Sequence, residues 1–293
     1  MNRRMFLAIA GLSSFFYRSY LRDLSAAEMP VVAVAEGKEY EKITVKAVAA
    51  LGGMKRFVKS GDVVVIKPNI GWDRRPEHAA NTHPLVVKAL VEEALHAGAK
   101  RVKVFDRSCN DERRCYVNSG IAEALKNMKQ VELKYVEEER FKKVLLNGTA
   151  LREWELYGEA LSADVFINVP IAKHHGLTRL TLGLKNIMGV MGENRGNLHR
   201  NIDHALADVN AVLRSHLVVI DATRILTAHG PQGGDLEDVR ITNKVIASTD
   251  IVAADAYATT LFGLKPADIG ATVAAYRRGL GEMNLNRIRI VRA

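Results

Sequence analysis

Between Lys173 and Asn186 the chain reads KHHGLTRLTLGLKN, setting three cations, two adjacent histidines and two threonines into an otherwise apolar stretch. Ammonium groups attract carboxylates and phosphates, and crowding them without counter-ions depresses the pKa of at least one. Lys67, Lys173 and Lys185 are therefore candidates to hold a small anionic molecule. A depressed lysine is also a general base or a Schiff-base nucleophile. The competing reading pairs each lysine with a carboxylate, for which Asp106, Asp221 and Asp255 are available. On a strand His174 and His175 face opposite ways, so only one readily enters a site. If Leu180 to Met191 is a helix, Thr181 and Lys185 share a face. Asn186 donates and accepts, which suits either a polar ligand or a loop cap.

A second group, His199, Asp203 and His204, lies in LHRNIDHALADVN. With His175 and a strand-end aspartate, His199 and Asp203 would form a two-histidine, one-carboxylate site for a divalent metal. The tight HxH or HxxxH spacing is missing, and a histidine and aspartate opening a surface helix fit equally well. Arg195 and Arg200 bracket GENRGNLHR, which is either a basic lid or a solvated linker. GPQGG, from Gly230 through Gly233 to Gly234, is either a backbone cradle for an anion or a plain turn. GxGxxG after the first strand, GxxxxGK[ST], GxSxG and HExxH are all absent.

The elements that must position these groups are strands alternating with helices. PVVAVAEG, DVVVIKPN, RVKVFD, DVFINVP, HLVVIDA and KVIASTD read as continuous apolar strands. Tyr40 to Val58 reads as an amphipathic helix broken at Gly52-Gly53, and Pro84 to His96 as one closed by Gly98. The fold class is α/β, a mostly parallel sheet with helices on both faces. In such sheets ligands bind beyond the carboxyl ends of the strands. Polar residues gather there: Lys67 and Asn69, Asp106, Lys173 to His175, Asp221 and Asp250. A lone strand-end aspartate only caps the next turn; five such ends imply a shared polar crevice.

The 293 residues hold 42 lysines and arginines against 33 aspartates and glutamates. Four of the cations and one acid lie in residues 1–27, leaving a net charge of +6 beyond them. That balance favours an anionic small molecule or a solvated basic face over nucleic acid, since aromatics are only 6% of the chain. Cys109 and Cys115 are the two cysteines, without a CxxC pair, so no cysteine-ligated iron–sulfur cluster is expected. They are either free thiols or, in an oxidising compartment, a disulfide. Residues 1–27 read as an export signal: Arg3-Arg4 precede Met5-Phe6-Leu7, an apolar run too short for a stable transmembrane span, and Ser25-Ala26-Ala27. The paired arginines resemble a twin-arginine signal, which makes that export machinery a partner and the location periplasmic or cell-surface. Asn2, Arg18, Arg22 and Asp23 depart from that pattern, and an amphipathic helix on a cytoplasmic protein is the alternative.

LGGMKRFVKSGDVVVIKPN, THP at Thr82 to Pro84, the Lys-x-His of KHH, TLGLKNIMG, Asp221, HGPQGG and STDIVAADAYA occur in this order. As a set they resemble the family catalogued as domain of unknown function 362, over nearly all of residues 28–293, which would form a single α/β domain. The resemblance points to Lys67, Asn69, Thr82, Lys173, His175, Thr181, Lys185, Asn186, Asp221 and Asp255. His174 stands where many members have threonine. Ferredoxin-type cysteine motifs carried by many members are missing, so that redox association does not transfer. The expectation is an exported enzyme or cofactor-handling protein for a small anionic molecule. Lys67, Lys173 and Lys185 hold the anion, His175 is the acid/base, and Asp221 orients or coordinates. The alternative is a non-catalytic envelope protein that captures an anion or metal.

Overall fold

The computed structural model describes residues 29–293, so the export signal assigned to residues 1–27 lies outside the described residues. The chain forms β1 (Val31–Glu36), α1 (Tyr40–Ala49), β2 (Val63–Pro68), α2 (Pro84–His96) and β3 (Arg101–Val104). Short helices α3 (Glu112–Asn118) and α4 (Ile121–Leu125) lead to β4 (Val131–Leu133). A separate antiparallel hairpin, β5 (Phe141–Leu145) and β6 (Glu153–Tyr157), precedes α5 (Gly158–Leu161). Then come β7 (Val165–Val169), β8 (Ile171–His175), β9 (Arg179–Thr181), α6 (Gly183–Asn186) and α7 (Ile202–Val212). The chain closes with β10 (Leu217–Leu226), β11 (Val239–Ser248), α8 (Ile251–Thr260), α9 (Gly270–Arg277) and β12 (Arg289–Arg292).

The main sheet runs β12-β1-β11-β10-β7-β2-β3-β4, with β8 paired to β10 and β9 to β8. From β10 to β4 every neighbouring pair on that path is parallel, while β11 is antiparallel to both β1 and β10. The fold is therefore α/β with a mostly parallel mixed sheet. Continuous apolar strands require cover on both faces, because alternate side chains point opposite ways. Val64 and Ile66 of β2 pack with Ile43 and Ala47 of α1 and with Val87 and Leu90 of α2. Val65, between them, packs on the other face with Leu206 of α7 and Ala275 of α9. Val32, Val218 and Ile220 meet α8 through Ala253 and Ala256.

Helix limits follow local chemistry. Pro84 opens α2 where no N–H partner is needed, and His83 caps it by accepting from Leu85 N. Gly98 then turns away at φ 108°, and a Cβ there would come within 3.1 Å of Ser60 Cα. The helix expected from Tyr40 to Val58 stops at Ala49, because Gly52 and Gly53 take positive φ before a short 3-10 turn. The helix expected from Leu180 to Met191 is also different. Thr181 ends a strand, and α6 starts at Gly183, whose N–H and that of Leu184 donate to the Asp255 carboxylate. No helix among the described residues is long and apolar enough to cross a membrane.

Candidate functional site

A cavity of about 720 Å³ opens beyond the carboxyl ends of β2, β3 and β8. Lys67 and Asn69 come from the end of β2, Asp106 to Cys109 from the segment after β3, and Lys173 and His175 from β8. Thr181, Lys185, Asn186, Gly189 and Arg195 also line the cavity, and Trp72 and Pro231 add apolar surface. Thr181 reaches the site by pairing across from Lys173 in the β8–β9 hairpin, not by sharing a helix face with Lys185.

Each cation sits in a different electrostatic setting. Lys67 and Asp106 form an ion pair of 2.7 Å, their side chains 1% and 3% exposed. The adjacent parallel strands place them together, since Ile66 pairs with Val104. Burial still holds the Lys67 ammonium below its ordinary pKa, against the opposing pull of Asp106. Lys173 is buried without a carboxylate: its Nζ donates to Ala80 O at 2.6 Å and Asn69 Oδ1 at 3.1 Å, and lies 5.9 Å from the Trp72 ring centre. Desolvation, with Lys185 and Lys67 nearby, lowers its pKa to about 7. Lys185 has Met188 Sδ, a weak acceptor, at 3.2 Å, and burial lowers its pKa to about 8. The Arg195 guanidinium donates to the carbonyls of Arg107, Met188 and Ser108, yet meets no carboxylate among the described residues. Thr181 Oγ1 is buried with no hydrogen-bond partner.

Amide side chains tie these groups together. Asn69 Nδ2 and Lys67 Nζ both donate to Asn186 Oδ1 at 3.0 Å, and Asn186 Nδ2 donates to Asn168 Oδ1 at 2.8 Å. Asn168 in turn donates to Gly183 O. His175 Nδ1 accepts from Leu177 N at 3.1 Å, which leaves the ring proton of the neutral imidazole on Nε2. His174 faces away from the cavity and accepts from Gly230 N.

The family model described as Domain of unknown function (DUF362) matches residues 64–260, which includes every cavity residue from Lys67 to Pro231. The chain belongs to the DUF362 family. A relative, the thylakoid-associated protein sll1697 of Synechocystis sp., is 30% identical over 238 residues, spanning 78% of this chain and 72% of that protein. Among solved structures, the lactate racemase apoprotein of Thermoanaerobacterium thermosaccharolyticum is similar at 12% identity and a TM-score of 0.45. That likeness covers 75% of this chain and 54% of the racemase, so this DUF362 chain spans about half of it.

In this DUF362 chain Lys67, Asn69, Lys173, His175, Thr181, Lys185 and Asn186 all come together in the cavity wall. Other candidates serve the backbone around it. Thr82 receives Asn69 N and donates to Val169 O, holding the loop after β2 in place. Asp221 lies within β10 and accepts from His83 N, Thr223 N and Thr223 Oγ1, so it does not line the cavity. Asp250 caps α8 by accepting from Ala253 N. Gly230 and Gly233 flank Pro231, which is the residue of that turn reaching the cavity. Asp203 lies against Gly270 at the start of α9, and the His199 side chain is outside the described residues. Among the described residues no group of three or more His, Cys, Asp or Glu side chains is placed to hold a metal. Cys115 is a buried free thiol, and Cys109 is an exposed one on the cavity wall.

Sequence reasoning did not single out Trp72, Asn168 or Gly189. Asn168 left a trace, as a polar residue inside the apolar strand DVFINVP. The buried pair also makes a stability prediction. Asp106→Asn strands the Lys67 charge and should cost about 3–5 kcal/mol in urea denaturation, because one buried partner is left alone. Lys67→Met with Asp106→Leu should recover much of that loss; equal loss in the double variant would overturn the assignment.

Proposed function

We propose that this protein is an enzyme acting on a small anionic molecule held in the cavity, with Lys185 as the main anchor for the negative charge. Support comes chiefly from one observation: Lys185 and Thr181 Oγ1 face the cavity with no oxygen partner, beside two further cations, Lys173 and Arg195, that lack a carboxylate. Buried cations normally acquire a compensating anion, and burial makes the missing one costly. Lys67 is already compensated by Asp106, so it shapes the wall and does not bind the ligand directly. His175, two residues beyond Lys173 on β8 and so on the same strand face, is the acid/base candidate. The export reading of residues 1–27 accompanies this proposal, and cell fractionation of a fused reporter tests it.

Oxalate and inorganic phosphate, titrated calorimetrically, are the direct probes. Lys185→Gln is expected to weaken the tighter of the two by about 100-fold, as for other truncated partners of buried charges. Wild-type affinity in Lys185→Gln, with the fold intact by circular dichroism, would remove Lys185 from the site.

A further inference from the structure

We propose that the cavity takes 2-oxo acids and that Lys173 captures their carbonyl carbon as a Schiff base. This rests on the anion-site reading above and adds the group that must lie next to the carboxylate. Lys173 Nζ is 1% exposed as a residue and has two oxygen acceptors, Ala80 O and Asn69 Oδ1. A neutral primary amine has two N–H groups and one lone pair. Those two acceptors take both N–H groups, leaving the lone pair free on a side chain that lines the cavity, its Nζ 5.9 Å from the ring centre of Trp72 in the same lining. An ammonium in the same place would have a third N–H to satisfy, and no carboxylate meets Lys173 among the described residues. Burial and the two flanking lysines keep the neutral form populated near neutral pH, with a pKa of about 7.

The neighbours of Lys173 fit the remaining atoms of such a substrate. Thr181 stands directly across the β8–β9 hairpin from Lys173, and its buried hydroxyl lacks a partner. Facing side chains in an antiparallel pair have Cβ atoms about 5 Å apart. An anion held by Thr181 and Lys185 thus places an adjacent carbon within reach of Lys173, which is the connectivity of a carboxylate bonded to a ketone or aldehyde carbon. His175 shares the strand face, and its Nδ1 accepts from Leu177 N.

The step balances without any oxidant or reductant. The Lys173 lone pair attacks the carbonyl carbon, the C–N bond forms, and the carbonyl π pair moves to oxygen, leaving an alkoxide beside a positively charged nitrogen that carries two protons. One of those protons passes from the nitrogen to the oxygen, giving a neutral carbinolamine. The hydroxyl then leaves with a second proton as water while the nitrogen, losing its remaining N–H, forms C=N. One amine and one carbonyl thus become one imine and one water.

The test incubates the full chain with glyoxylate or pyruvate and sodium cyanoborohydride, which reduces the imine to a stable secondary amine, and maps the modified peptide by mass spectrometry. The expected result is one reduced adduct per chain, on Lys173, suppressed by excess oxalate. Lys173→Met and Lys173→Gln should reduce it to background, the glutamine retaining an amide donor for Ala80 O in case the methionine variant is misfolded. Oxalate calorimetry on the same protein separates the two readings. If oxalate binds but neither oxo acid modifies Lys173, the Schiff-base inference is overturned and the anion site stands. If oxalate fails to bind and Lys173 stays unmodified, both fall. Modification spread over exposed lysines and unchanged in Lys173→Met also overturns it.

Discussion

Gly189→Ala is expected to lower the stability of the protein by about 3 kcal/mol or more and to abolish anion binding. The reason is the space available, since a Cβ at Gly189 would fall 1.6 Å from Asp106 Oδ1, 2.5 Å from Lys67 Cε and 2.6 Å from Lys67 Nζ. Both neighbours are buried and bound to each other, so neither is a flexible chain end that can swing into solvent. The backbone is equally committed, because Gly189 O accepts from Arg107 N at 3.0 Å. The added methyl must either part the Lys67–Asp106 pair, leaving two charges buried and separated, or push out the turn that carries Met188 and leads to Arg195. Both outcomes disturb the cavity wall. Gly176→Ala is the control: it meets only Gly230 O, at 3.9 Å, and should be near neutral. Urea denaturation of the two variants decides the matter, and equal midpoints would refute the packing account.

Affinity for oxalate should fall by about 100-fold between pH 6 and pH 9, most of it as pH rises through 7 to 8. The sign follows from linkage. An anion binds the protonated lysines better, so affinity is full below the pKa values of the free protein and is lost as the protons leave. Those values are about 7 for Lys173 and about 8 for Lys185, both lowered first by desolvation. Other charges face the same cavity. Lys67 and Asp106 compensate each other, Arg107 is paired with Glu138, and the Arg195 guanidinium donates to backbone carbonyls. Glu193, Cys109 and His175 also line it, so the variants must isolate the lysines. Lys185→Gln should flatten the upper part of the profile and Lys173→Gln the lower part. The same two groups act oppositely on stability. Their pKa values in the unfolded chain are near the ordinary 10.5, so the unfolded state binds more protons above about pH 7. Their burial therefore costs most at low pH, and that cost declines as pH rises toward 10.5. A pH profile of affinity that stays level in wild type would exclude both lysines as anchors.

The strands were readable because they are apolar runs rich in β-branched residues, such as VVVI before Lys67 and VFINV ahead of Lys173. Polar residues at or just past the end of such a run lie where parallel sheets bind ligands, which is why Lys67, Asn69, Lys173 and His175 could be grouped from the sequence. The pairing of Lys67 with Asp106 was not readable, because it depends on the register of two strands separated by a loop and a helix. Asp221 illustrates the same limit. An aspartate in an apolar strand looks alike in sequence whether it turns toward a ligand or accepts backbone N–H groups from His83 and Thr223. The short α6 was hidden for another reason: its start is fixed by Asp255, which lies 72 residues away along the chain from Gly183.

The direction of β1 has a practical consequence. β1 is antiparallel to β11, which is antiparallel to β10, so β1 runs the same way as β10, β7, β2 and β3. Its first residue, Val31, therefore lies at the amino end of the strands, while the cavity opens past their carboxyl ends. A tether joined ahead of Met29 leaves from the far side of the sheet and keeps the mouth clear. Attachment to a sensor surface at Met29 thus leaves the cavity facing the solution for the oxo-acid and oxalate experiments.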